Sequence, residues 1–448
     1  MDTILSSKYN EFIAQKNHEF PSLVAIEKAA VPKILKQFHY PISSWPVLIE
    51  KEIVKEIKLL SVRIPKLIAK IPELYFNNDI QRIADFYVNG NKTLAEFTMM
   101  CQEKQVLASC RLDIVNTNKG LKVLEANICS SIGGWQLQSF EKEIRSYHPL
   151  LKSDIKKEKF ISRNTQVNYI KFIINEILNN VYDIDKEINI FISLDDEEAI
   201  APIDTVAFFQ NLIDVVNEEK EYKIKIFTGD VTKLYLEGKN LHFNSVRIHG
   251  LLDMDIKEIP SIVTRAFLLG TTYFPDNLAT NMHSDKRNLA LLRLLAEAGK
   301  FTATDNRLLK NCMPWTVELQ SKEVNYKEEK IAITELIKEK DKFVIKPFRG
   351  FQGKEVFVGK FLTQTQWEAI VKKNVNSGKF ILQEFCDSKQ YLAPNKNNEW
   401  TPHKIIWGTF GFGTKYAGTF VRMSEVTSNR GVINAATGAI ETIVYEVL

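Results

Sequence analysis

One stretch in the first third of the chain constrains the fold most: two strand-like segments with charged side chains, joined by a polar turn. The turn covers residues 116–120, whose Asn, Thr, Lys and Gly residues are typical of a tight connection. Side chains alternate between the two faces of a strand, so residues two apart share a face. In an antiparallel hairpin one face is therefore polar, with Arg111, Asp113, Glu125 and Asn127. The opposite face is apolar and suits a core, with Leu112, Ile114, Leu124 and Ala126.

The polar face of this hairpin indicates one of two uses. The carboxylates of Asp113 and Glu125 and the amide oxygen of Asn127 are ligands that a hard cation such as Mg²⁺ prefers. Arg111 adds a cation to the same small surface. A hairpin face that is simply solvated is the alternative, because charged residues are ordinary on exposed surfaces.

Composition restricts the class of protein. The chain has 448 residues, 45% apolar and 25% charged, a balance typical of globular proteins with room for two or three domains. Its net charge of +4 gives no indication of a nucleic-acid or membrane partner. No apolar run approaches the ~18 residues of a membrane helix, and the first residues lack the features of a signal peptide. The five cysteines are scattered without CxxC spacing, so a disulfide framework or zinc site is not expected and a reducing cytoplasm fits.

Pattern changes along the chain predict a mixed α/β (α+β) protein in four parts. The parts are 1–103, mainly helical; 104–150, strand-rich with the hairpin; 151–280, alternating strand and helix; and 281–448, glycine-rich and mostly strands. The strand–helix–strand order of the third part predicts a parallel layer. The fourth part begins with a segment, 281–300, that is predicted as one helix with Ser284 or Asp285 as its N-cap.

Residues 343–359 are predicted as a strand, a glycine loop and a second strand. Gly350 and Gly353 would let backbone N–H groups approach a ligand closely, and successive turn N–H groups form a cradle for anions. Cations that suit phosphate oxygens surround the loop, namely Lys346, Arg349 and Lys354. The stretch is not a Walker A loop. An ordinary β-hairpin with surface bases is the alternative.

Two later strands end in polar groups. The run before Gln383 and Glu384 is apolar, as expected of a buried strand that reaches a cleft. Arg422 closes a strand rich in glycine and aromatic residues, and a surface ion pair is its alternative role.

In this order, the segments resemble the circularly permuted ATP-grasp ligases, in particular the synthetase domain of glutathionylspermidine and trypanothione synthases. That family has R-x-D and, twelve residues after the Asp, E-x-N, as its catalytic arginine and Mg²⁺ ligands, and the hairpin matches in type and spacing. A helical lysine after an Asn-rich loop, V-K-P-x-x-G-x-x-G, a Q-x strand and a glycine strand ending in Arg follow in the family. The matching residues here are Lys286, Lys346, Gly350, Gly353, Gln383, Glu384 and Arg422.

The resemblance implies a circularly permuted ATP-grasp fold, with an additional α/β pre-ATP-grasp or substrate domain and a helical N-terminal region. It implies an ATP-dependent carboxylate–amine ligase that makes an amide or peptide bond through an acyl phosphate and releases ADP and phosphate. ATP and two Mg²⁺ ions would be the cofactors. The partners would be small-molecule or peptide carboxylate and amine substrates, without nucleic acid or membrane.

Roles for single residues also follow from the resemblance. The nucleotide phosphates would be held by Lys286 and Lys346, under a loop containing Gly350 and Gly353, and the adenine pocket would contain Gln383 and Glu384. Mg²⁺ would be bound by Asp113, Glu125 and Asn127. Arg111 would neutralise charge on the transferred phosphoryl group, and Arg422 would hold the acceptor carboxylate or the γ-phosphate.

The chain also departs from that family. It has no amidase-like cysteine domain, and residues 1–100 and 151–280 do not match closely, so polyamine or glutathione specificity is not implied. Two other functions stay open. A phosphotransferase of the dikinase kind would need a phosphoryl-carrying histidine, for which His283 is the candidate. A nucleotide-binding protein without catalysis is disfavoured by the intact trio of metal-ligand types.

Overall fold

The computed structural model describes residues 5–15, 20–153, 159–194, 202–218, 222–253, 259–326, 329–350, 355–428 and 431–448. Its α-helices are α1 (Ser7–Ala14), α2 (Lys51–Ile68), α3 (Ile71–Leu74), α4 (Ile80–Tyr87), α5 (Lys92–Glu103), α6 (Glu141–Tyr147), α7 (Pro149–Lys152), α8 (Thr165–Asn180), α9 (Pro202–Val216), α10 (Ser261–Leu268), α11 (Leu278–His283), α12 (Arg287–Glu297), α13 (Ala303–Cys312), α14 (Ile333–Leu336) and α15 (Gln364–Asn374).

The strands are β1 (Val47–Glu50), β2 (Ser109–Thr117), β3 (Gly120–Ile128), β4 (Phe160–Ile161), β5 (Glu187–Ser193), β6 (Lys223–Gly229), β7 (Tyr235–Glu237), β8 (Asn240–Phe243), β9 (Val246–Arg247), β10 (Gly250–Asp253), β11 (Thr316–Glu318), β12 (Glu323–Tyr326), β13 (Glu329–Ala332), β14 (Phe343–Pro347), β15 (Phe357–Val358), β16 (Phe380–Glu384), β17 (Gln390–Pro394), β18 (Trp400–Phe412), β19 (Lys415–Glu425) and β20 (Ile440–Val447). The mixed α/β prediction is confirmed.

The largest sheet joins strands from both ends of the chain, in the order β1-β20-β19-β18-β2-β3. β1 is parallel to β20, whereas the other neighbours along this path are antiparallel. β18 lies between β19 and β2, which places the C-terminal strands beside the charged hairpin. Helix α2 covers this sheet with an apolar stripe at helical spacing, of which Ile57, Leu60 and Ile64 are fully buried.

Two smaller sheets follow the predicted patterns. β10, β5 and β6 form the parallel layer that strand–helix–strand order predicted, with α9 in the connection between β5 and β6. β11, β16, β14 and β15 form an antiparallel sheet that contains Lys346 and Gln383. Within the described ranges, no helix has the combined length and hydropathy to cross a membrane. The ATP-grasp assignment, the circular permutation and the boundaries at 104, 151 and 281 stay predictions.

The prediction of one helix over residues 281–300 is wrong, because two helices, α11 and α12, meet there. Asn288 donates from Nδ2 to the carbonyls of Met282 and His283, which satisfies the end of α11. Asp285 accepts from the N–H of Arg287 at 3.0 Å, which supports the start of α12. These side-chain hydrogen bonds support the end of one helix and the start of the next. Lys286 therefore lies at the junction between α11 and α12.

Candidate active site

The hairpin places its four polar residues as the alternation predicted. Arg111 lies opposite Asn127, and Asp113 lies opposite Glu125, with a register shift after Asp113. Asn127 donates from Nδ2 to the carbonyl of Arg111 at 3.3 Å, so the two strands are also joined by a side chain. The hairpin therefore presents two carboxylates, an amide and a guanidinium as direct neighbours.

Asp113 lies between two guanidinium groups. Its Oδ1 accepts from Nε of Arg111 at 2.9 Å, and its Oδ2 lies 2.7 Å from Nη2 of Arg422. Burial of the carboxyl opposes ionisation, but the two positive charges outweigh it and lower the pKa of Asp113. Arg422 is only 6% exposed, so it is not part of a surface ion pair. The sheet thus brings together two arginines, one from the first third of the chain and one near its C-terminal end.

An aromatic ring lies against both arginines. The Phe420 ring centroid is 5.9 Å from the guanidinium carbon of Arg111 and 5.7 Å from that of Arg422. Two glycines make room for this ring: a Cβ on either Gly134 or Gly408 would lie 2.2 Å from Phe420 Cε1. Phe420, which has space because of the two glycines, therefore supports both guanidinium groups and sets their position relative to the sheet.

Glu441 is a buried carboxyl that the sequence interpretation missed. It lies opposite Arg422 in the register of β19 and β20 and is 5% exposed. Burial raises the pKa of Glu441 to about 7, although the charges of Arg422 and Arg111 act in the other direction. A single glutamate within the apolar run from Ile440 to Tyr445 was the available signal.

Lys286 connects the hairpin to the glycine loop. Its Nζ lies 3.3 Å from Oε1 of Glu125 and donates to the carbonyl of Gly350 at 2.8 Å. The junction between α11 and α12 also holds the loop through its backbone, because the N–H of Lys286 donates to the carbonyl of Phe348. A lysine at this point can reach an anion bound between loop and hairpin.

Lys346 reaches the hairpin from the smaller antiparallel sheet. Its Nζ donates to the carbonyl of Leu124 at 2.8 Å and to Oε1 of Gln383 at 2.9 Å. Gln383 in turn donates to Thr316 Oγ1 at 3.0 Å, which fixes the orientation of its amide. Lys346 is 6% exposed, and burial lowers its pKa to about 8. An ammonium held by two neutral acceptors in a buried place is suited to an incoming anion.

Two of the remaining predicted residues, Glu384 and Arg349, lie within the described part of the chain. Glu384 ends β16, is half-buried, and donates its backbone N–H to the carbonyl of Trp315. Arg349, beside Gly350, lies 3.8 Å from the buried carboxylate of Asp285 and donates to the carbonyl of Tyr87. Gly353 and Lys354 lie outside the described residues.

Arg287 is a further residue near the site that sequence reasoning missed, and it packs against the residue that precedes the glycine loop. The guanidinium of Arg287 lies 4.0 Å from the ring centroids of both Phe86 and Phe348, and its Nη2 is 2.7 Å from Oδ2 of Asp285. Phe348 directly follows β14, so this stack ties the loop to the helical region. An Asp and an Arg two residues apart were the available signal for it.

The donor set fits Mg²⁺ and nucleotide phosphates in its chemistry. Glu125 and Asn127 offer a carboxylate and an amide oxygen on half-buried residues, and Asp113 offers a carboxylate shared with the guanidinium pair. Within the described part of the chain, the lysines that face them contact the carboxylate of Glu125 and neutral carbonyl and amide oxygens. Among the described residues, no cluster of three or more His, Cys, Asp and Glu side chains is arranged for a metal. The carboxylate and amide oxygens of the hairpin are the kind of ligand that hard Mg²⁺ prefers.

Comparison with known proteins gives no matching family model and no match among curated proteins. A similar solved structure is a protein from Methylobacillus flagellatus KT assigned as a gamma-glutamylcysteine synthetase. It is 12% identical, the match covers 86% of this chain and 88% of that chain, and the TM-score is 0.42.

Proposed function

We propose that this chain is an ATP-dependent carboxylate–amine ligase that forms an amide or peptide bond through an acyl phosphate. One observation carries the proposal: Lys286 from the junction of α11 and α12 and Lys346 from β14 both reach the hairpin that carries the polar residues. Phosphoryl transfer needs positioning and charge neutralisation more than covalent participation by the protein. Cations on one side and oxygen ligands on the other meet that need.

Each residue of the candidate site would have a separate role in the proposed reaction. Lys286 and Lys346 would bind the nucleotide phosphates, and Gln383 would keep the Lys346 ammonium directed at them. Arg111 would neutralise charge that develops on the transferred group, while Arg422 would hold the carboxylate that accepts it. Bound at Asp113, Glu125 and Asn127, Mg²⁺ would neutralise phosphate charge. Glu384 and the residues that follow it would contact the base.

The phosphotransferase alternative is disfavoured by the environment of His283. Its Nε2 is buried without a hydrogen-bond partner among the described residues, and burial lowers its pKa to about 4. A phosphoryl-carrying histidine must expose a ring nitrogen to two substrates in turn. The other alternative, a nucleotide-binding protein without catalysis, would not need the guanidinium pair around Asp113 to neutralise charge during phosphoryl transfer.

Product analysis tests the proposal. A ligase releases ADP and phosphate only when an acid and an amine are both present, so amino acids, polyamines and short peptides are screened in pairs. Lys346→Met serves as the inactive control, and Lys338→Met, an exposed lysine in an i,i+3 pair, as the matched active control. Formation of AMP would indicate a dikinase-like enzyme, and nucleotide binding without turnover of any pair would overturn the ligase assignment.

A further inference from the structure

The junction between α11 and α12 holds the residues that lead into the glycine loop. We call residues 348–350 the entry segment. The backbone N–H of Lys286 donates to the carbonyl of Phe348, and its Nζ donates to the carbonyl of Gly350 at 2.8 Å. The guanidinium carbon of Arg287 lies 4.0 Å from the ring centroid of Phe348. Two neighbouring residues of the junction therefore contact the entry segment through a backbone N–H, an ammonium and a guanidinium.

Arg287 is fixed by further contacts, and only 7% of it is exposed. The ring centroid of Phe86 also lies 4.0 Å from its guanidinium carbon, so the guanidinium lies between two rings. Its Nε and Nη2 donate to the two carboxylate oxygens of Asp285 at 3.0 and 2.7 Å, and its Nη1 donates to Oε1 of Glu318 at 3.4 Å. A paired guanidinium that stacks on rings is a rigid support, because its planar fork fixes its orientation.

Arg287 also connects the entry segment to the C-terminal end of α4. Its Nη2 donates to the carbonyl of Phe86 at 2.6 Å, and Nη2 of Arg349 in the entry segment donates to the carbonyl of Tyr87. The last carbonyls of a helix lack partners within the helix, and cations are favoured there. Tyr87 donates from its hydroxyl to Oδ1 of Asn288 at 2.5 Å. The N-terminal helical region thus supports the part of the chain that would bind phosphate.

We propose that Arg287 is a positioning residue for nucleotide binding, which keeps the entry segment in the conformation that meets the phosphates of ATP. This rests on the proposed function, because it takes Lys286 and the glycine loop as phosphate-binding groups. A segment that is ordered before its ligand arrives loses less conformational entropy on binding, so the ligand binds more tightly. Removal of the stack would therefore weaken ATP binding, although Arg287 would act only through Phe348.

Calorimetry with Mg²⁺ and a non-hydrolysable ATP analogue tests this. Phe348 is half-buried, so Phe348→Leu is expected to leave the melting temperature nearly unchanged and to weaken binding about three- to tenfold, the scale of a desolvated cation–π contact. Phe348→Tyr retains the ring and should bind within about twofold of the wild type. Phe97→Leu, which removes an exposed ring of α5, is the matched control and should change nothing.

Arg287→Lys tests the arginine itself, because lysine keeps the charge but lacks the planar fork. We expect at least tenfold weaker binding, and little further loss when Phe348→Leu is added, since both changes act on one contact. Losses that multiply in the double variant would overturn the link between the two residues. If Arg287→Lys does not fold, the two Phe348 variants carry the test.

The results separate this inference from the proposed function. Weaker binding in Phe348→Leu that Phe348→Tyr restores supports the inference even if no acid and amine give ADP release, which would count against the ligase alone. Wild-type affinity in Phe348→Leu, or equally weak binding in Phe348→Leu and Phe348→Tyr, would overturn the inference and leave the ligase proposal standing. Absence of binding by the wild type would overturn both.

Discussion

Nζ of Lys286 lies 3.3 Å from Oε1 of Glu125, although one residue belongs to a helix junction and the other to the charged hairpin. The same Nζ donates to the carbonyl of Gly350. A single ammonium therefore bridges the two parts of the site that would hold metal and phosphate, and a phosphate entering between them would take over its bonds. Variants on either side of this bridge should change turnover more than stability.

Glu125→Ala and Asn127→Ala are each expected to leave the melting temperature nearly unchanged and to lower turnover more than tenfold. Both side chains are half-buried, so little packing is lost, whereas Mg²⁺ would lose a ligand. Glu52→Ala, an exposed glutamate paired with Lys55, is the control. Retention of more than about a tenth of kcat by both variants would contradict the metal assignment, since losses at such positions are usually larger.

Lys346→Met is expected to weaken ATP binding at least tenfold without lowering the stability of the free protein at pH 7. Burial lowers the pKa of Lys346 to about 8 in the folded state, while an unfolded lysine titrates near 10.5. Below pH 8 the folded protein must keep a buried charge, and between pH 8 and 10.5 the unfolded chain binds more protons, so stability rises with pH in that window. Melting curves should show this rise in the wild type and not in Lys346→Met.

Nucleotide titrations of the same pair decide whether Lys346 is structural. We expect wild-type ATP affinity to fall as pH rises through 8, because the ammonium that meets the phosphate is lost there. Lys346→Met should show no such pH dependence. A destabilised Lys346→Met that still binds ATP normally would show that Lys346 serves the fold instead.

Arg111→Ala is expected to lower kcat about a hundredfold or more while ATP affinity stays nearly unchanged, the usual scale for one preorganised donor. Arg111→Lys should rescue poorly, since a lysine cannot bond Asp113 and the Gly133 carbonyl at once with the planar fork that arginine uses. Calorimetry of ATP binding is compared with kcat at saturation. A large loss of affinity with unchanged kcat would assign Arg111 to charge balance alone.

Gly408→Ala is expected to destabilise the protein by about 1–3 kcal/mol, the usual cost of overpacking, because its Cβ would overlap the Phe420 ring. Phe420→Leu in the same chain should restore most of the melting temperature, since the two changes act on one contact. Turnover should stay low in the double variant, because Arg111 and Arg422 would lose the ring beneath them. Full recovery of both properties would mean that Phe420 fills space and does not position the guanidinium pair.

Local patterns in the sequence predicted the parts of the site that lie within one element. Alternation along two strands placed Arg111, Asp113, Glu125 and Asn127 on one face, and the registers confirm it. The β14 strand with Lys346 and the β16 strand with Gln383 also follow their apolar runs. These features depend on the period of a strand, which is a property of a few consecutive residues.

Tertiary structure alone decided which of these parts meet. The local sequence around Arg422 would be the same for a surface ion pair and for a buried contact with Asp113. The contact with Asp113 forms because β18 lies between β19 and β2 in the sheet. The lysine contacts to Glu125 and Leu124 likewise join residues far apart in the chain, and the carboxyl of Glu441 comes to lie beside Arg422 through the pairing of β19 with β20. Such contacts depend on sheet order and helix placement, which the burial of apolar surface over the whole molecule determines, and no local period encodes them.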